Sequence, residues 1–211
     1  MSKNTIITIG RQYGSGGREI GQKLAEKLGI AFYDKELLAI ASKKSGIHED
    51  LLGSLDEKPT SSLLYSLVMG TYTFGAVTSN MDMPINDKLF IAQCDVMKEI
   101  AQKESAVIVG RCADYILRDV APCINLFFYA DFEKRAERIA RTRDLTMEKA
   151  KELITKTDKQ RASYYNFYSS EKWGKAQSYH LCIDTASVGI DGTVELLKHY
   201  VDLRNSDPSS F

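Results

Sequence analysis

The 211-residue chain carries 28 basic and 28 acidic side chains and no net charge, which excludes a nucleic-acid binder driven by bulk electrostatics. Its length suits a single domain with a full core, and no apolar run approaches the length needed to cross a bilayer. The four cysteines show neither C-x-x-C nor Cys/His ligand spacing, and no signal-peptide pattern precedes Ile6, so reduced thiols in a cytoplasmic protein are the expectation.

The chain opens on Thr5–Leu28, TIITIGRQYGSGGREIGQKLAEKL. Thr5 to Ile9 has the composition of a short buried strand. Gly10, Gly14, Gly16 and Gly17 then fall within eight positions, where a chain turns tightly or brings bare backbone close to a ligand. From Arg18 the pattern is helical, with Ile20, Leu24 and Leu28 on one face. Strand, glycine loop and helix in this order make a phosphate cradle, in which loop N–H groups and the positive end of the helix face one concavity. A tight strand-to-helix turn with no ligand is the alternative.

The match to the P-loop pattern G-x-x-x-x-G-K-[ST] is degenerate. With Gly16 as the second motif glycine, Gly17 falls on the lysine and Arg18 on the magnesium-binding hydroxyl. With Gly17 in that place, Arg18 falls on the lysine and Glu19 on the hydroxyl. Both registers lack the first glycine, with Arg11 or Gln12 standing there, and both lack the lysine. Arg11, Gly14, Ser15, Gly16, Gly17, Arg18 and Glu19 are therefore the candidate donor-binding residues, with Arg18 the substitute cation. Glu19 either holds magnesium or simply favours the helix N-terminus.

Gly29 suits a helix C-cap, and Ile30 to Tyr33 reads as a second strand ending at Asp34, followed by a helix from Lys35 to Lys44 closed by Gly46. Asp34 is placed both to cap that helix and to meet a ligand at the strand's C-terminal edge. Ile47 to Met83 lacks clean periodicity. After a polar break at Asp56–Ser62, the stretch Leu63–Val77 suits a flap, a partner surface or a helix on the sheet. Its Tyr65, Tyr72 and Phe74 fit packing or an interface better than base stacking.

Pro84 opens a helix through Ile100, and Ser105 to Val109 is a third strand ending at Gly110-Arg111. A short helix over Cys112–Leu117 leads to a fourth strand, Ile124–Tyr129, ending near Asp131. Helices are expected over Phe132–Arg141, Met147–Thr157 and onward through Tyr168 as a separate polar, aromatic segment. A fifth strand over Tyr179–Ile183 ends at Asp184-Thr185, Val194 to Val201 closes the fold, and the tail from Asn205 frays. Alternating strands and helices mean a parallel α/β sheet with right-handed crossovers.

Arg135, Arg138 and Arg141 repeat at i+3 as a cationic stripe, with Arg143 and Arg161 beyond. Interleaved acids permit an ordinary salt-bridged surface. A helical flap of arginines is also what a phosphoryl transferase uses to neutralise charge and exclude water. Asp158, three residues before Arg161, would orient that arginine or help hold a metal.

The ordered set ITIGRQYGSGGREIGQKLAEKLG, AFYDKELL, VIVGRCADYIL, RAERIARTRDLTMEKAKELITKTDKQRASYYNFY and YHLCIDTASVGID resembles the cytidylate kinase-like branch of the P-loop nucleoside monophosphate kinases, with a degenerate Walker A loop. The resemblance covers nearly the whole chain. It implies an α/β, P-loop kinase-like three-layer sandwich: a five-stranded parallel sheet with helices on both faces and a helical lid. It implies one domain over residues 1–211, with an acceptor-side insert at about 47–83 and a lid at about 132–172. Family roles put Gly14 to Arg18 on the donor's phosphates, Arg111 on the acceptor monophosphate, and Arg138, Arg141 and Arg161 closing over the transferred group; Asp34, at its strand end, is the second candidate acceptor residue. Arg18, Arg138, Arg141, Asp158 and Arg161 form the catalytic set, with no dedicated protein metal site. The implied activity is ATP- and Mg2+-dependent phosphoryl transfer to a small acceptor such as a nucleoside monophosphate. Partners are the nucleotide and the acceptor, with no nucleic acid or membrane and with a homodimer allowed. The insert from Leu51 to Met83 contains no arginine, so CMP specificity is not implied. A nucleotide-binding regulator with little kinase activity is the alternative, and an interaction module built on Leu63–Val77 is a third.

Overall fold

The structure, a computed structural model, describes residues 4–47, 56–57 and 84–206. Its centre is the apolar segment Ile6–Arg11, strand β1. Alternate residues of β1 point to opposite faces of the sheet, so a strand with both faces covered must be apolar throughout. Ile6 packs into the core on one face and Ile7 and Ile9 into the core on the other.

Four further strands, β2 (Ala31–Tyr33), β3 (Ala106–Val109), β4 (Cys123–Tyr129) and β5 (Leu181–Asp184), complete a sheet of order β2-β3-β1-β4-β5. All neighbours run parallel, with Ile6 in register with Ala106 on one side and Cys123 on the other. The C-terminal ends of β1, β3 and β4 therefore open along one edge.

Helices α1 (Gly17–Leu28) and α7 (Thr185–Ser206) cover one face, placing Ile20, Leu24, Val194 and Leu197 against Ile7, Val109 and Leu126. Helices α2 (Glu36–Ser45) and α3 (Ile85–Lys103) cover the other, with Leu37, Leu89 and Met97 on Ile6 and Ile108. Each such side chain, fully buried, contributes about 1.5–3 kcal/mol. The short α4 (Ala113–Ile116) follows β3. Helices and sheet form the expected three layers.

Helices α5 (Phe132–Arg143) and α6 (Met147–Ser169) make the lid, held together by Ala136 and Ile139 against Ala150 and Ile154. The expected break near Thr157 is absent, and α6 runs unbroken for 23 residues. Its first half packs on α5. Its second half carries Tyr164, Tyr165 and Tyr168 onto Phe90 of α3, with Phe90 and Tyr168 stacked at 3.9 Å. Two packing partners override the modest propensity of Thr155 and Thr157. The last helix likewise begins at Thr185, well before Val194, and kinks at Gly189.

The expectations for Leu63–Val77, with Tyr65, Tyr72 and Phe74, and for residues 207–211 of the tail lie outside the described residues. Among the described residues, no helix is long and apolar enough to cross a membrane.

Candidate functional site

At the end of β1 the chain must reverse into α1 within five residues, and it does so through positive φ at Gly14 (84°) and Gly16 (83°). The loop is pinned from several sides. Gln12 donates its N–H to Phe128 O at 2.9 Å, and Ser15 Oγ donates to Gln12 O at 2.8 Å. Thr185 Oγ1 donates to Ser15 O at 2.7 Å, and Tyr13 N–H donates to Asp158 Oδ1 at 2.7 Å. Among the described residues, no acceptor takes the N–H groups of Gly14, Gly16 and Gly17. These free donors stand at the positive end of α1, an arrangement that binds anions.

In front of the loop, four arginines and three carboxylates interlock. Arg111, with only 1% of its side chain exposed, donates to Asp34 Oδ1 at 3.3 Å, Asp56 Oδ2 at 3.0 Å and Val109 O at 3.2 Å. Arg18 Nε reaches Asp34 Oδ2 at 2.7 Å. Glu57 accepts from Arg11 Nη1 at 2.7 Å and from Arg161 Nε at 3.1 Å, and Arg161 Nη1 also donates to Arg11 O at 3.2 Å. Burial pushes Glu57 up, but Arg11, Arg161 and Arg111 outweigh it and hold it well below the ordinary carboxylate range. Asp34 is also lowered: burial opposes and Arg111, Arg18 and Arg11 prevail. Asp56 is raised, because burial outweighs Arg111 and Glu57 adds a like charge. A cavity of about 20 Å³ lies behind this lattice, bounded by Arg11, Arg111, Arg161 and Tyr164. Arg111 Nε borders it without a protein partner among the described residues.

On the other side of the loop, α5 presents its arginines. Arg135 is buried and donates to Asp158 Oδ2 at 2.6 Å, Tyr13 O at 3.0 Å and Ala130 O at 3.1 Å. Arg138 Nη2 meets Glu19 Oε2 at 2.6 Å. Arg138 and the exposed Arg141 line an open cavity of about 230 Å³ between α5 and the start of α7, whose floor includes Gly14, Ser15 and Ile190.

The structure thus brings Arg11, Gly14 to Arg18, Asp34, Arg111, Asp158 and Arg161 to one edge of the sheet, with Glu19, Arg138 and Arg141 beside them. Four side chains take partners that sequence spacing did not indicate. Arg18 leans away from the loop onto Asp34, with 58% of its side chain exposed. Asp34 receives two guanidinium groups and does not cap α2, whose N-cap is Lys35 without a side-chain cap bond. Asp158 pairs with Arg135 and a loop N–H, and Arg161 pairs with Glu57. Asp56 and Glu57 are additions to the site. The one signal of them in the sequence is an acidic pair in an insert that has no arginine of its own.

The cytidylate kinase-like family model matches residues 6–187. A cytidylate kinase from Methanopyrus kandleri is 22% identical over 220 residues, covering 99% of this chain and 100% of that protein. The crystal structure of an uncharacterized protein from Eubacterium ventriosum superposes with a TM-score of 0.70 at 29% identity, over 94% of this chain and 99% of the other. A shikimate kinase from Bacteroides thetaiotaomicron superposes with a TM-score of 0.52 at 13% identity, over 94% of this chain and 98% of the other. That last likeness is one of fold.

Proposed function

The chain belongs to the cytidylate kinase-like family, and from that premise we propose that it transfers the terminal phosphoryl group of ATP to a small acceptor, a nucleoside monophosphate. The observation that carries this reading is the glycine loop, whose N–H groups at Gly14, Gly16 and Gly17 have no acceptor among the described residues and whose Gly14 and Ser15 share a cavity with Arg138 and Arg141.

In this reading the protein is one domain, with residues 47–83 on the acceptor side and 132–172 as the lid. The loop N–H groups, Arg138 and Arg141 hold the donor, and the cavity between α5 and α7 takes its nucleoside end. Arg111, steered by Asp34, meets the acceptor's phosphate. An acceptor oxygen, already ionised on a monophosphate, forms the new bond to phosphorus. The bond from phosphorus to the bridging oxygen breaks, and that oxygen leaves with the electron pair on ADP. The protein's part is positioning and charge neutralisation. Arg161, bonded to the loop at Arg11 O, closes the site over the moving group.

Among the described residues, no group of three His, Cys, Asp or Glu side chains is placed to hold a metal. Mg2+ keeps its waters and binds mainly through substrate phosphates and one or two carboxylates. Glu19, in the first turn of α1, would be the protein carboxylate, and the ion would neutralise phosphate charge. The four free cysteines fit a reducing compartment such as the cytoplasm.

The test is ADP production from ATP and Mg2+ with a panel of nucleoside monophosphates, beside thermal shifts with each ligand. Turnover with one of them is expected, and no turnover across the panel rejects the kinase reading. The second reading is a nucleotide-binding regulator, favoured by the missing lysine and by the carboxylate of Glu57 standing between Arg11 and Arg161. Nucleotide binding without turnover is its signature.

A further inference from the structure

Resting on the kinase reading, a more specific assignment follows from the room around Gly17. A Cβ at that position would lie 2.8 Å from Arg11 Cβ, 3.2 Å from Arg11 Cγ and 3.1 Å from Phe128 Cδ2. The stem of Arg11 therefore fills the space in which a lysine side chain at position 17 would begin. A lysine there and an arginine at 11 exclude one another. The degenerate loop has both changes together: the first motif glycine has become Arg11 and the lysine has become Gly17.

The guanidinium of Arg11 lies across Gly110 at the end of β3, where an added Cβ on that glycine would overlap Arg11 Nη1. Arg11 is 8% exposed as a residue, and Glu57, the one carboxylate bonded to it among the described residues, is shared with Arg161. Two cations share one anion at the mouth of the loop. A carboxylate held between two guanidinium forks takes the geometry that a phosphoryl group would take there. Arg18, the alternative cation, is turned outward onto Asp34.

We propose that Arg11 supplies the positive charge that the P-loop lysine supplies elsewhere, contacting the transferred phosphoryl group together with Arg161, and that Glu57 is the resting counter-ion which this group displaces. The cation has moved from the start of the helix to the end of the central strand, with no loss of charge at the reacting centre.

The test compares wild type with Arg11→Ala, Gly17→Lys, the pair Arg11→Gly/Gly17→Lys, and Glu57→Gln. Calorimetry with inorganic tripolyphosphate and with ATP and Mg2+ measures binding, and ADP production measures turnover. Arg11→Ala is expected to weaken tripolyphosphate binding about tenfold and to lower turnover by about 10²–10³, the cost of removing one preorganised donor at a developing charge. Gly17→Lys alone should lower the Tm, and the pair should restore both the Tm and tripolyphosphate binding. Glu57→Gln, which leaves every arginine in place, should tighten tripolyphosphate binding. Wild-type binding and turnover in Arg11→Ala overturns the assignment, as does a pair that regains its Tm but not its affinity. Should the position 11 and 17 variants fail to fold, unchanged or weaker binding by Glu57→Gln overturns it independently. Failure of the wild type itself to bind ATP or tripolyphosphate would instead remove the kinase reading on which the assignment stands.

Discussion

The carboxylate of Asp158, midway along α6, accepts the backbone N–H of Tyr13 at 2.7 Å and holds buried Arg135 at 2.6 Å. One side chain thus ties the lid to the glycine loop and neutralises the innermost cation of the α5 stripe. Asp158→Ala leaves Arg135 buried without its charge partner, a loss worth about 3–5 kcal/mol. Urea unfolding should show that loss, and Asp158→Asn, which still offers an oxygen to Tyr13, should lose less. Equal stability of Asp158→Ala and wild type would show that the pair contributes nothing.

Arg111 and Arg18 share Asp34 but differ in burial, and their substitutions should separate. Arg111→Ala strips buried Asp34 and partly exposed Asp56 of their common partner and is expected to cost about 3–5 kcal/mol. Arg18→Ala removes a half-exposed pair worth less than about 1 kcal/mol. Chemical denaturation of both proteins checks the order. In the kinase assay Arg111→Ala should also raise the KM for the acceptor.

Gly110 has φ 77°, and a Cβ there would overlap Arg11 Nη1 and come within 2.5 Å of Glu57 Oε1. The left-handed conformation alone costs a side chain about 1–2 kcal/mol. Gly110→Ala should exceed that figure, because the buried Arg11–Glu57 pair must also part. A Tm within the range expected from backbone strain alone would mean that the pair relaxes freely.

The carboxylates give the site an acid limit. The folded-state pKa values of Glu57 and Asp34 are lowered, so their stabilisation is complete above the ordinary carboxylate values of about 4 and fades as the pH falls through the folded values. Asp56 has the opposite sign: its pKa is raised, so its contribution is present at low pH and fades as the pH rises through its folded value. Two lowered groups against one raised one predict net destabilisation on acidification below about pH 5. Glu57→Gln should flatten this dependence in unfolding free energies measured across that range. An acid limb as steep as that of the wild type would exclude Glu57 as its source.

Local patterns were readable in the sequence because they obey local rules. Ile6 to Ile9 has the composition of a short buried strand, and Gly29 and Gly46 close their helices in the left-handed conformation at φ 65° and 70°. The loop of glycines and the strand-end residues Asp34 and Arg111 lie along the predicted edge. Partner choice was not readable. Arg11 and Glu57 are 46 residues apart and Arg161 and Glu57 are 104 apart, and no spacing rule links positions so distant. Arg18 was the arginine in the register of the lysine, but register does not say which way a side chain leans. The continuity of α6 was hidden for a related reason, since its middle is held by packing on α5 and α3, which the local sequence does not show.

That continuity has a mechanical side. At about 1.5 Å per residue, α6 is a stiff rod of about 34 Å, fixed to the glycine loop at its middle and to Phe90 of α3 near its end. A rod of this kind couples its two attachments, so loosening the Phe90–Tyr168 stack is expected to weaken the hold of Asp158 on Tyr13 as well.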